Sequence, residues 1–128
     1  MIGNKCLVDT CVVVHSFKKT NNVSEKLDVI QELYVSITVV GELYYGAYKA
    51  DDPAKHLAQV QAFLEKCTIF AIDLTTANIY GTIKAALAKK GKPIPENDIW
   101  IAAAAIQHNL PVFTTDKHFN EIDGLSLF

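Results

Sequence analysis

The chain has 128 residues, half of them apolar, with a charged fraction of 20% and a formal net charge of −2. This is one domain's worth of chain, and it is too apolar to stay disordered. No apolar run reaches the roughly 18 residues of a membrane span, and no secretory leader pattern is visible, so the expectation is a cytoplasmic protein without membrane attachment. All 12 basic residues are lysines. The acidic balance excludes gripping nucleic acid by bulk charge, so such a partner must be held by a local patch or through metal ions. A site that needs an arginine fork would receive it from another chain.

In chain order, "KCLVD" (5–9) reads as a short buried strand ending in Asp9, and "TCVVVHSFKK" as the helix after it. "NNVSEKLDVIQEL" (21–33) spaces Val23, Leu27, Ile30 and Leu33 as a helix does. "YVSI" (34–37) predicts a second strand, and Thr38 an N-cap for "VVGELYYGAYKA". "DDPAKHLAQVQAFLEKC" opens with turn chemistry and carries an apolar stripe of Leu57, Val60, Leu64 and Cys67. "TIFAI" (68–72) predicts a third strand. "TTANIYGTIKAALAKKGK" is a helix with Ile79, Ile83 and Leu87 on one face, closed by Gly91. "PENDIWIAAAAIQHN" is a sixth helix, apolar on every side from Ile99 onward and so buried all round. "PVFTTD" (111–116) predicts a strand, "KHFNEI" a short helix and "LSLF" (125–128) a last strand. Short apolar strands alternating with helices imply a single α/β domain over residues 1–128. It is a three-layer, Rossmann-like arrangement with a central parallel sheet of about five strands flanked by helices.

Asp9 and Asp116 each follow a strand. In open α/β sheets the ligand crevice lies outside the carboxyl ends of strands, where strand order reverses. Helices that follow strands begin at the same edge. Asp98 lies in the first turn of its helix and Glu42 about one turn into its own. Each acid alone has an ordinary explanation as a cap, a turn former or a dipole-favoured residue. Converging, they would raise one another's pKa, and a divalent cation would relieve the repulsion. Oxygen-only ligands suit Mg²⁺ or Mn²⁺ rather than Zn²⁺. His15, His56, His108 and His118 are scattered and read as ordinary surface or boundary residues. Cys6, Cys11 and Cys67 read as small buried thiols.

At these residues the sequence resembles the PIN-domain ribonucleases, and among them the VapC-type toxins of type II toxin–antitoxin pairs. The resemblance rests on "LVDT", "GELYYGA", "PENDIWIAAAA" and "VFTTDKHFNEIDGLSL", and spans nearly the whole chain. It implies a parallel sheet with the first strand central and a pocket of Asp9, Glu42, Asp98 and Asp116. That pocket would bind Mg²⁺ or Mn²⁺ and cleave RNA through a metal-activated water. Thr10, Asn97 and Thr114 match polar positions flanking the acids. Cys11 stands where relatives often carry Asn or Ser, a change expected to remove a hydrogen bond. Glu96 and Asp98 are about 200° apart around a helix. The resemblance assigns Asp98 to the pocket and leaves Glu96 exposed.

"KAALAKKGK" carries Lys84, Lys89, Lys90 and Lys92 with no acid between them. Lys89, Lys90 and Lys92 are candidate RNA contacts, or else a solvated helix end. Tyr44, Tyr45 and Tyr48 suit core packing or an interface. By resemblance the partners are an RNA substrate, a second copy of the chain, and an antitoxin whose peptide enters near the pocket. A receiver-like signalling domain is the rival from another class, but it wants an adjacent acidic pair after the first strand, where only Asp9 stands. A PIN fold kept only for binding would have lost acids, and none is lost.

Overall fold

Cys6, Leu7 and Val8 are all fully buried, although consecutive strand residues point to opposite faces of a sheet. Their strand, β1 (Lys5–Val8), is therefore covered on both sides. The structure, a computed structural model, describes residues 4–20 and 22–128. After β1 come α1 (Thr10–Lys18), α2 (Val23–Asp28), β2 (Glu32–Ser36), α3 (Ile37–Tyr48), α4 (Pro53–Leu64), β3 (Cys67–Phe70), α5 (Leu74–Lys90), α6 (Glu96–Gln107) and β4 (Val112–Phe113). A 3-10 turn, Lys117–Glu121, follows. The sheet is parallel throughout, in the order β3-β2-β1-β4, with helices flanking it.

The chain thus steps outward from β1 to β3, then returns to lay β4 on the other side of β1. Strand order reverses between β1 and β4, so a crevice opens at their carboxyl ends. The register pairs Val8 with Phe113. The Asp9 N–H donates to the Phe113 carbonyl at 3.0 Å, which ties the two strand ends together just below the crevice.

Several boundaries differ from those the sequence predicts. The helix over 21–33 is confined to Val23–Asp28, and Leu33 belongs to β2; Asn21, with which the expected helix opens, lies outside the described residues. Leu33 keeps a place against the core either way, so apolar spacing alone does not separate the two elements. Ser36, not Thr38, caps α3, its hydroxyl accepting from Val39 N–H. Cys67 opens β3 instead of closing α4. The last predicted strand survives as one parallel bridge, Leu127 to Val112, beside a four-stranded sheet. Asp73 caps α5 with a reciprocal Thr76 bond, and Gly91 at φ 67° ends that helix in the left-handed conformation that glycine adopts without strain.

Helix α6 is the buried helix its composition predicts. Ile99, Ile101 and Ala102 to Ala105 are buried, and the helix packs on α5, α3 and the 3-10 turn. The small alanines let these neighbours approach closely. Trp100 is half-buried, its ring stacked on Tyr80 at 3.9 Å between centroids.

Candidate metal centre

Asp9 is both the N-cap of α1 and the first wall of the crevice. One carboxylate oxygen, Oδ1, accepts from Thr10 N–H at 2.8 Å. The other, Oδ2, accepts from the Thr114 hydroxyl at 2.7 Å and from the Cys11 thiol at 3.2 Å. The side chain is only 4% exposed. Burial raises its pKa above the ordinary carboxylate value, opposed by the bonds from Thr114, Cys11 and Thr10. The thiol therefore supplies the hydrogen bond that its replacement of Asn or Ser was expected to remove. It also accepts from the Thr115 hydroxyl at 3.2 Å.

Asp116 reaches the same place from β4. Its Oδ1 caps the 3-10 turn through His118 N–H at 2.9 Å, and its own N–H donates to Thr114 Oγ1 at 2.9 Å. Thr114 thus links Asp9 to Asp116. Asp98 arrives from the first turn of α6, where the helix dipole favours an acid. Its pKa is pushed up to about 6, first by burial and then by the charges of Asp9 and Asp116, against the bond from His118.

Glu42, half-buried on α3, closes the set. Thr10 donates to its Oε1 at 2.5 Å and the Asn97 amide to its Oε2 at 3.1 Å. Both of its oxygens are thereby aimed, one from α1 and one from α6. Its negative charge also bears on Asp9.

The structure therefore brings together all four acids and the three flanking polar residues, Thr10, Asn97 and Thr114. Sequence reasoning missed His118. Its Nδ1 lies 3.1 Å from Asp98 Oδ2 and 2.9 Å from Asp116 Oδ1. This pairing raises the imidazole pKa, the Asp98 bond contributing most. The usable signal was the i, i+2 spacing from Asp116: a turn capped by that Asp folds His118 back toward it.

The lysine candidates sit otherwise. Lys90 donates to the Glu121 carbonyl at 2.9 Å and to Asp123 at 3.2 Å, and Lys92 lies 4.0 Å from Glu121. The acids of 121–123 thus face a stretch whose own sequence has none; Lys89 is exposed. Lys84 pairs with Glu96 at 2.7 Å, and Tyr80 also donates to Glu96, so Glu96 is an exposed acid turned away from the pocket.

Glu42 and Thr10 also edge a groove of about 620 Å³ between α1, α3 and α4. Val14, Phe17 and Val60 line it with apolar surface, exposed Tyr45 stands at its edge, and Lys18, Lys49 and Lys55 make it basic. Tyr45 and Tyr48 are two-thirds exposed and Tyr44 somewhat over one-third, so α3 presents aromatic surface outward.

The chemistry of the donors fits a divalent cation. Carboxylates from four separate segments share one crevice, two of them with raised pKa, a surplus of negative charge that a cation removes. Asp98, Asp116 and His118 each offer a ligand atom within 4.8 Å of the others.

The PIN-domain family model matches residues 6–125. Ribonuclease VapC2 of Haemophilus influenzae is 36% identical over 129 residues, 94% of each chain. The tRNA(fMet)-specific endonuclease VapC of Shigella flexneri is 30% identical over 124 residues, again 94% of each. Among solved structures, the DNA-bound VapBC of Salmonella typhimurium superposes with a TM-score of 0.88 at 30% identity, covering 97% of this chain and 96% of that one. VapBC2 of Rickettsia felis, bound to a promoter DNA fragment, reaches 0.89 at 25% identity, covering 97% of each.

Proposed function

The chain belongs to the PIN-domain family, and from that premise we propose that it is a Mg²⁺- or Mn²⁺-dependent endoribonuclease, the toxin of a toxin–antitoxin pair. The observation that carries this reading is the convergence of Asp9, Glu42, Asp98 and Asp116 where β1 and β4 part, with no lysine ion pair among the described residues reaching any of them. Asp9, Asp98 and Asp116 would hold the cation, with Glu42 directly or through water. The bound cation supplies a water of lowered pKa and neutralises charge on the phosphate.

The rest falls to the chain's own side chains. Thr114 holds Asp9 and Asp116 in one register, so the ligand set is aligned before substrate arrives. Thr10 and Asn97 immobilise Glu42 by a bond to each oxygen. A carboxylate of the cluster accepts the proton that the attacking water loses. The chain has no arginine to bring to the scissile phosphate.

The groove beside Glu42 suits a peptide with apolar and acidic side chains, because it is lined by Val14, Phe17 and Val60 and by three lysines. We assign it to the antitoxin, whose arginine would meet the carboxylates and silence them. Tyr44 and Tyr48, exposed on α3 and outside that groove's lining, are the candidate face for a second copy.

The experiment is cleavage of total RNA by the wild type, Asp9→Asn and Asp98→Asn, with Mg²⁺, with Mn²⁺ and with EDTA. Cleavage by the wild type alone, and only with metal, is expected. Full activity in EDTA, or undiminished activity in either variant, would sink the reading.

A further inference from the structure

One donor in the pocket is not an oxygen. His118 Nδ1 stands 2.9 Å from Asp116 Oδ1 and 3.1 Å from Asp98 Oδ2, between carboxylates of two different segments. Its position is built rather than casual. The backbone N–H of His118 donates to Asp116 Oδ1 at 2.9 Å, which fixes the residue against that acid. The next residue, Phe119, is 1% exposed and anchors the turn in the core. The imidazole is thus carried by a short capped turn with a buried foot, while the ring itself is about half exposed.

The spacing suits ligation. Two donors in adjacent positions of an octahedron with bonds of about 2.1 Å lie about 3.0 Å apart. Both contacts of Nδ1 have that separation. Nδ1 is the ring atom that faces the space those carboxylates share.

We propose that His118 is a metal ligand through Nδ1, beside Asp98 and Asp116, and that this nitrogen turns the site's preference from Mg²⁺ toward Mn²⁺ and Co²⁺. The inference rests on the metal-dependent reading above. Imidazole favours first-row transition metals, whose affinity for nitrogen rises along the series, while Mg²⁺ prefers carboxylate and water oxygens. A histidine that only positions the two acids acts through them, and so changes the affinity for every divalent ion by a similar factor.

The test is calorimetric titration of the full chain with Mg²⁺, Mn²⁺ and Co²⁺, using the wild type, His118→Ala and His118→Gln. Pulsed electron paramagnetic resonance on the Mn²⁺ form reads nitrogen directly bonded to the ion. His118→Ala is expected to weaken Mn²⁺ and Co²⁺ binding by about tenfold or more while Mg²⁺ changes less than about threefold, and to abolish the nitrogen coupling. His118→Gln, which keeps a hydrogen-bond donor but no ring, behaves as His118→Ala. An unchanged Mn²⁺/Mg²⁺ ratio, or a wild-type Mn²⁺ signal without nitrogen coupling, overturns the ligand role and leaves the nuclease reading standing. A wild type that binds none of the three ions overturns both. The wild-type resonance decides the question even if a variant fails to fold.

Discussion

Two neighbouring regions treat acidic side chains in opposite ways. On the outer face of α5, each acid meets a lysine: Glu96 with Lys84, Asp123 with Lys90, Glu121 with Lys92. In the crevice between β1 and β4, Asp9, Asp98 and Asp116 meet one another and an imidazole. Glu96 and Asp98 show the contrast within one helical turn. Two residues apart, they face opposite ways, and one has its pKa lowered by Lys84 while the other is pushed up to about 6 by burial and like charge. Exposed pairs of the first kind add little to stability. The second kind costs stability through burial and like charge, a cost that the proposed cation would offset.

The sharpest way to break this comparison is to neutralise each acid in turn. Asp98→Asn should lower RNA cleavage by more than the roughly 10–100-fold that outer-sphere changes at metal sites cost, whereas Glu96→Gln should leave cleavage unchanged. A next-largest effect belongs to the buried foot of the pocket. Phe119→Ala should destabilise the protein by about 3–5 kcal/mol in denaturant titrations. It should also weaken metal binding, because the turn carrying Asp116 and His118 loses its anchor. Equal metal affinity in a folded Phe119→Ala protein would show that the turn is held by its cap alone. Thr10→Val should cost cleavage about 10–100-fold with thermal unfolding little changed, since it frees a Glu42 oxygen without emptying the core.

The pH dependence is smaller and its sign is definite. Asp98 has a folded pKa of about 6, against about 3.9 unfolded, so the folded state binds the proton more tightly. In EDTA, stability contributed by the protonated acid is full below about pH 4 and is lost as pH rises to 6 and beyond. His118, with its pKa raised by the same contact, acts in the same direction: its contribution is present below its unfolded pKa and lost as pH rises through the folded one. Asp98→Asn should therefore be more stable than the wild type at pH 8 without metal, by on the order of 1 kcal/mol after solvent screening, with the gap closing toward pH 4. A gap that widens on acidification would contradict the assignment. The smallest effect is expected from Lys84→Ala, which should leave cleavage and metal affinity intact.

Period and composition were enough to read the alternating elements, the buried α6 and the parallel sheet, because burial on both faces writes itself as apolar runs and helix faces as regular spacing. The strand-end position of Asp9 was legible for the same reason; the strand expected over 111–116 is only Val112–Phe113, and Asp116 stands three residues beyond it as the cap of the 3-10 turn. Local signals failed where two elements share one apolar spacing, as at Leu33 and Cys67, each of which joined a strand because a neighbouring strand offered it backbone partners. They failed also where a contact spans the chain. The Cys11 bond to Asp9 and the reach of Thr10 to Glu42 depend on how helices settle over the sheet. Lys90 and Lys92 looked unaccompanied until the C-terminal acids folded against them. His118 looked like an ordinary surface residue until β4 came to lie beside β1 and α6 set its first turn opposite. Sequence by itself determined which residue types stand at which strand and helix ends, since those follow from local periodicity. Only the tertiary structure decided which of them share charge, because a Coulomb interaction depends on distance through space and not along the chain.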